Sequence, residues 1–311
     1  MSLIGRRVVV HVPATSANLG PGFDTLGMAL SFYDELIVEA VPGTGAVVEV
    51  TGEGAGEVAT DASNLVVKSI AYTFEHYGQA LPGLRLEAKN NIPHGRGMGS
   101  SGAAVVSGIM AAKGLLEGVV EMTQDDLLTI ATELEGHPDN VAPALFGGLT
   151  IAWEDEKGPR HKKLFVHRGV SPLVLVPNFQ LSTKLARSLQ PESVPHEDAV
   201  FNVSRSALLI AALTQSPELL WEATQDKLHQ SYRASAMPQT ADLVQALRDR
   251  GHAAVVSGAG PSVLVLASDP AERLEAVKFV TESYPQWKAL LLAVDFKGAT
   301  VGMHHKEDAA K

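Results

Sequence analysis

The sequence predicts a mixed α+β chain in two parts, on three observations. Strand-like and helix-like segments alternate along 311 residues, more than one hydrophobic core usually needs. A charged stretch over 154–168, EDEKGPRHKKLFVHR, breaks an otherwise apolar rhythm. No apolar run approaches the roughly 18–20 residues of a membrane span, and no internal repeat or low-complexity tract marks a solenoid or a linker. The division is placed within the charged stretch, giving parts 1–160 and 161–311.

The elements follow in order. Residues 7–12 read as a strand, then PATSANLGPGFDTLG is turn-rich. Residues 35–41 and 46–51 are short β-branched runs separated by Pro42 and Gly43. Ser63 is placed to cap a helix over 64–77 that ends at Gly78. LRLEA, from Leu84, alternates with period two, as a half-buried strand does. GAAVVSGIMAAKGLL is rich in small residues and reads as a buried helix beginning near Ser101. Thr123, with Asp125 and Asp126 behind it, opens a helix to about Glu135. GGLTIAW is a strand. Beyond the charged stretch, PLVLVPN is a strand and Ser182-Thr183 caps a helix. Helices are expected over 197–213, 217–233 and 240–250. AAVVSGAGPSVLVLA is two apolar strands around a tight turn. A last helix and the strand ALLLAVDF close the fold, and HHKEDAAK is a polar, frayed terminus. His304 and His305 lie in it and are assigned no metal.

Composition narrows the function. Lys and Arg number 25 against 35 Asp and Glu, a formal charge of −10. Nucleic-acid binding needs the opposite excess. Hydrophobic residues are 45% and charged residues 19%, which suits a folded core and excludes a wholly disordered chain. Cysteine is absent, so disulfides, Cys-ligated zinc and thiol catalysis are excluded together. The first residues show no secretory leader. A soluble, cytoplasmic enzyme or binding protein is the expectation.

Three glycine-rich loops carry the chemistry. In PHGRGMGSSGAA, residues 93–104, Gly95, Gly97, Gly99 and Gly102 allow close backbone approach and positive φ. The helix that follows points unpaired N–H groups at whatever sits there, and phosphate is the anion such an end favours. Ser100 and Ser101 add hydroxyls for phosphate or magnesium. The P-loop lysine, the protein-kinase elements and the G-x-S-x-G elbow are missing. Gly97, Gly99 and Gly102 satisfy G-x-G-x-x-G, but residues 90–96 separate the preceding strand from the motif, against dinucleotide binding. The second loop, 13–27, places Asn18 and Asp24 on turns. The third is SGAGPS, 257–262. Ordinary turn chemistry accounts for either of these two alone.

Together the three loops resemble the motifs of the GHMP small-molecule kinases. The family's central P-x-x-x-G-L-G-S-S-A-A is similar to Pro93-His94-Gly95-Arg96-Gly97-Met98-Gly99-Ser100-Ser101-Gly102-Ala103, with Met98 for Leu and Gly102 for the first Ala. VPATSANLGPGFDTLG, EGHPDNVAPALFGG, STKLAR and HQSYR resemble most the branch of the family whose acceptor is L-homoserine. The resemblance implies a fold with an N-terminal part like ribosomal protein S5 domain 2 and a ferredoxin-like C-terminal part. It also implies transfer of the γ-phosphoryl of ATP to the side-chain hydroxyl of L-homoserine, within threonine biosynthesis. Homodimers are common in the family.

The resemblance also assigns roles. Residues 93–103 cradle the nucleotide phosphates, and Asn64 contacts adenine, although a helix cap would use it equally. One of Ser100 and Ser101, with Glu135, holds Mg2+, which takes hard oxygen ligands. Glu133 is the neighbouring carboxylate and reads as a solvated helix face. Arg187 and Arg233 are candidates to clamp the acceptor carboxylate. Asp24 pairs with its ammonium, and Asn18, His137 and Thr183 orient its polar atoms. Asp139 is the carboxylate available as a base, and Asn140 is the alternative contact to the acceptor hydroxyl, because a loose transition state needs little activation of the nucleophile. Two other readings share these residues: a kinase for mevalonate or a sugar, and a non-catalytic ligand sensor.

Overall fold

The computed structural model describes residues 2–303. The polar terminus with His304 and His305 lies outside the described residues. The elements in order are β1 (Arg7–Ala17), β2 (Leu26–Val41), β3 (Ala46–Gly52), α1 (Leu65–His76), β4 (Gly83–Asn90), α2 (Ser100–Leu115), α3 (Gln124–Glu135), α4 (Pro138–Phe146), β5 (Leu149–Asp155), β6 (Gly158–Leu164), β7 (Ser171–Val176), α5 (Thr183–Ser188), α6 (His196–Thr214), α7 (Leu220–Ala223), α8 (Gln230–Arg233), α9 (Pro238–Arg248), β8 (Ala254–Val256), β9 (Val263–Ala267), α10 (Pro270–Ser283), β10 (Lys288–Leu291) and β11 (Thr300–Met303).

The first sheet runs β11-β1-β2-β4-β3, with β5 on β2 and β6 on β5. Its one parallel pair, β3 with β4, is joined through α1, because a parallel pair needs a crossover and a helix supplies it. Helix α2 is buried along most of its length and packs against β1 and between α1 and α3. Its small residues let it lie that deep, apolar all round. The second sheet runs β10-β7-β9-β8, antiparallel throughout. Strands β7, β8 and β9 are covered on both faces and so read as unbroken apolar runs, whereas the edge strand β10 is partly exposed. Leu173 and Leu175 pack with Leu243 and Val280 of α9 and α10. Val174 and Val176 point the other way into the main core with Leu209 and Leu213 of α6, as period two requires.

Most elements lie where the residues predict. Thr123 caps α3 in a reciprocal capping box with Asp126. Four differences have physical causes. The cap of α1 is Asn64, not Ser63, whose hydroxyl is held by Asp61. The helix expected over 217–233 breaks into α7 and α8. There the Asp226 carboxylate accepts from the N–H groups of Leu228, His229 and Gln230, offering the backbone an alternative to helix. Within the charged stretch, β6 pairs with β5, and Arg160 reaches Asp155 and Asp125. Helix α4 was not expected from its sequence. Its Pro138 stands in the first turn, where no N–H is needed. Among the described residues, no helix is long and apolar enough to cross a membrane.

Candidate active site

The three glycine-rich loops meet. β4 delivers the chain to the 93–104 loop, where buried Asp34 accepts from the N–H groups of Asn91 and Ile92 at 2.6 and 2.9 Å. Burial pushes its carboxyl above the usual range, against those bonds. Loop 257–262 packs underneath: the Ser257 hydroxyl donates to the Gly97 carbonyl at 2.6 Å and lies 2.9 Å from Ser16 Oγ. Loop 13–27 closes the third side, with Asn18 Nδ2 donating to the Gly258 carbonyl at 2.9 Å. Its turn holds three non-glycine residues at positive φ, Asn18, Leu19 and Asp24. Asn and Asp tolerate this conformation; Leu19 is held in it by complete burial.

Helix α2 begins at Ser100 directly after Gly99, whose φ of 72° is left-handed. No side chain caps this end, so the first-turn N–H groups face the loop. The glycines serve the protein's own packing as well. A Cβ on Gly97 would overlap the Ser257 carbonyl, and one on Gly99 would overlap Thr15 Oγ1. Gly102 has room for an alanine, at 3.4 Å from its neighbours. Met98 is fully buried. Ala103 is buried as well, and Pro93 opens the turn with His94 and Arg96. Arg96 lies 3.7 Å from Glu53.

Two cavities adjoin at Ser100 and Ser101. The larger, about 420 Å³, is walled by Leu36, Val48, Val50, Val58 and Val66, with Asn64 and His94 also in its lining. Its dimensions and apolar walls suit a planar base. Asn64 spends both polar ends on the protein: Oδ1 accepts from Val66 N at 2.9 Å and Nδ2 donates to the Ala59 carbonyl at 2.7 Å. The smaller, about 170 Å³, brings together Asn18, Asp24, Glu135, His137, Asp139, Asn140, Thr183, Arg187 and Arg233. Every acceptor-side residue singled out in the sequence therefore lines one cavity.

Within it the pairings are specific. The Ser101 hydroxyl donates to Glu135 at 2.8 Å. Burial pushes the Glu135 carboxyl up, with Ser101 and His137 opposing. A partly buried carboxylate with a hydroxyl beside it is an all-oxygen donor pair, and Mg2+ commonly keeps only one or two such protein ligands. No cluster of three or more His, Cys, Asp or Glu side chains able to hold a metal occurs among the described residues. Glu133 points away and accepts from Tyr72 at 2.8 Å. His137 Nδ1 lies 2.5 Å from Asp139 Oδ1, and that carboxylate holds the imidazole above its ordinary pKa. Asn140 Oδ1 accepts from Thr15 at 2.8 Å, leaving its amide N–H groups for another acceptor. Ser182 caps α5, so Thr183 keeps its hydroxyl.

The two arginines differ. Arg187 grips Asp24 with both fork nitrogens, at 3.0 and 3.2 Å, each side chain 38% exposed. Arg233 is 1% exposed and makes no ion pair among the described residues. Its contacts are neutral: with the Gln190 amide oriented by its hydrogen-bonding partners, so that Oε1 faces the arginine, that oxygen accepts from Nε at 2.8 Å, Nη1 lies 3.4 Å from His229 Nδ1 and 3.5 Å from the Gly258 carbonyl, and the guanidinium sits 5.1 Å from the Phe23 ring centroid. Burial lowers its pKa first; Asp24 opposes. Phe23, Gln190, His229 and Thr15 escaped the sequence reading because their contacts are tertiary. HQSYR was the one local signal that reached His229.

Comparison with known proteins bears on the family and the fold. A model of the GHMP kinases N terminal domain matches residues 64–148, and one of the GHMP kinases C terminal region matches 206–286. The chain is 71% identical over 298 residues to a homoserine kinase of Clavibacter michiganensis, covering 96% of this chain and 94% of that one. It is 70% identical over 302 residues to a homoserine kinase of Leifsonia xyli, covering 97% and 94%. The crystal structure of homoserine kinase from Cytophaga hutchinsonii superposes with a TM-score of 0.86 at 27% identity, over 97% of this chain and 99% of that one.

Proposed function

The chain belongs to the GHMP kinases and within them to the homoserine kinases, and on that premise we propose that this cleft phosphorylates L-homoserine with ATP, and that it does so in threonine biosynthesis and in the cytoplasm. The adenine occupies the larger cavity. The phosphates lie over Gly97–Gly99 against the open end of α2, where N–H groups and the helix dipole favour anions. Ser101 and Glu135 are the residues to hold Mg2+, which when bound would neutralise charge on the phosphates.

The acceptor occupies the smaller cavity. The observation that carries this reading is Arg233, a buried guanidinium without a carboxylate, facing a space lined by Asp24 and Arg187. A buried charge lacking its counter-ion is costly, and an incoming carboxylate removes that cost. Asp24 and Arg187 already satisfy one another, so a zwitterion exchanges partners: its ammonium takes Asp24 and its carboxylate joins Arg187 and Arg233. Asn18, His137 and Thr183 bound the remaining space. The side-chain hydroxyl oxygen then bonds to the γ-phosphorus while the bridging bond to the β-phosphate breaks. The hydroxyl proton leaves on a phosphoryl oxygen. Asp139 is engaged by His137, so Asn140 is the residue that donates to the acceptor oxygen, and positioning does most of the work. We also propose dividing the chain near residue 160, with family matches on either side of it and β11 returning from the second part to the first sheet.

Coupled ADP release with Mg-ATP tests the reading against L-homoserine, mevalonate, galactose and L-serine. Selective turnover of L-homoserine is expected. Preference for another acceptor overturns the clamp and leaves the phosphate loop standing.

A further inference from the structure

His229 is fully buried, yet the chemistry above does not use it. One ring nitrogen, Nε2, lies 2.7 Å from the Gly20 carbonyl and 3.7 Å from Asp226 Oδ2. A carbonyl can only accept, so Nε2 carries the proton. That fixes the tautomer and leaves Nδ1 as a bare lone pair facing Arg233 Nη1 at 3.4 Å. The ring is stacked on Phe23, centroids 4.9 Å apart and planes within 16°, and Phe23 also lies under the Arg233 guanidinium. The main chain of His229 is pinned by Asp226. The imidazole is thus oriented on every side, and its one remaining acceptor is aimed at Arg233.

We propose that His229 is a positioning residue for acceptor recognition: as a neutral, tautomer-locked acceptor it aims the Arg233 guanidinium into the small cavity without neutralising it. A carboxylate in the same place would aim the arginine equally well and cancel the charge the acceptor needs. The first glycine-rich loop enters the same relay, because the Gly20 carbonyl sets the tautomer. Loss of that bond would let the proton move to Nδ1, which would then turn a donor instead of an acceptor toward the arginine. The proposal rests on the reading that the acceptor carries a carboxylate.

Two substitutions separate the halves of the relay. His229→Asn places an amide oxygen near Nδ1 and keeps the acceptor toward Arg233. His229→Gln places an amide N–H near Nε2 and keeps only the bond to Gly20. His229→Gln is expected to raise KM for L-homoserine roughly tenfold, with KM for ATP unchanged, while His229→Asn stays near wild type. The penalty should vanish with 2-amino-1,4-butanediol, which retains the ammonium and the hydroxyl but lacks the carboxylate. Equal effects of Asn and Gln, a parallel rise in KM for ATP, or a penalty that persists with the diol would overturn the proposal. Thermal unfolding of both variants shows whether each folds, and His229→Phe is the second variant should Gln not fold. Failure of the unaltered enzyme to use L-homoserine would instead overturn the acceptor reading itself.

Discussion

The glycine-rich loop before α2 offers main-chain N–H groups, whereas the opposite wall of the same small cavity offers charged side chains. At the start of α2 the binding groups are N–H dipoles fixed by Gly97 and Gly99, each with packing that forbids a side chain. Facing them across the same cavity are Asp24, Arg187, Arg233 and the His137–Asp139 pair. Backbone dipoles suit a ligand shared by many enzymes. Movable charges suit the one ligand that must be told apart from others. Donor binding should therefore break through shape and acceptor binding through charge.

The largest effect should come from Arg233→Ala. Removing a buried charge that meets a carboxylate should raise KM for L-homoserine by about 10²-fold or more, with KM for ATP nearly constant. Steady-state kinetics with each substrate varied separately would show it, and parallel rises would erase the distinction. Next is Gly99→Ala, in which the added methyl meets Thr15 Oγ1 at a left-handed φ. Displacing the loop by an ångström should lower kcat about 10²-fold. The double variant with Thr15→Ala should recover part of that loss, because it removes the overlapping atom.

Glu135→Gln sharpens the comparison by opposing stability to function. The folded protein holds the Glu135 proton more tightly than the unfolded chain does, since burial raises its pKa. The ionised carboxylate therefore costs stability, a cost that grows as pH rises from the ordinary glutamate value through the folded one. At neutral pH the glutamine variant should unfold at a higher temperature and turn over far more slowly. The difference in Tm should disappear in acid. The smallest effect is Asn64→Ala. Loss of the α1 cap should cost about 1 kcal/mol in denaturant unfolding, and KM for ATP should rise little, because both polar ends of Asn64 bond the protein.

These contrasts also explain what could be read from residues alone. The donor side lies within 93–104, so its spacing is visible in one short string. The acceptor side is gathered from residues 18–24, 135–140, 183–190 and 229–233. Its charged members could be named, but their pairings and their neutral neighbours Phe23, Gln190 and His229 could not. Nothing local says that Asp24 would sit in the fork of Arg187, or that Arg233 would be buried against neutral groups. Helix α4 was missed because Pro138 and Pro143 look like breaks, and the rupture of 217–233 because Asp226 competes for backbone N–H groups only when the chain turns there. The two-sided burial of β7 and β9 was legible, since an unbroken apolar run has few other uses.

The pairing of β11 with β1 reaches beyond the cleft. Residues 300–303 complete the sheet by joining residues 8–11, with Val301 and Val8 both against Gly114 of α2. Such a pairing joins residues almost the whole described chain apart, and loops that long close late and slowly. During synthesis, β1 leaves the ribosome long before its neighbour exists. Until then it presents an unpaired edge of valines, the kind of surface that invites wrong pairing between chains. Yield in the cell should therefore depend on how quickly that edge is covered, a demand on biogenesis quite separate from any demand of catalysis.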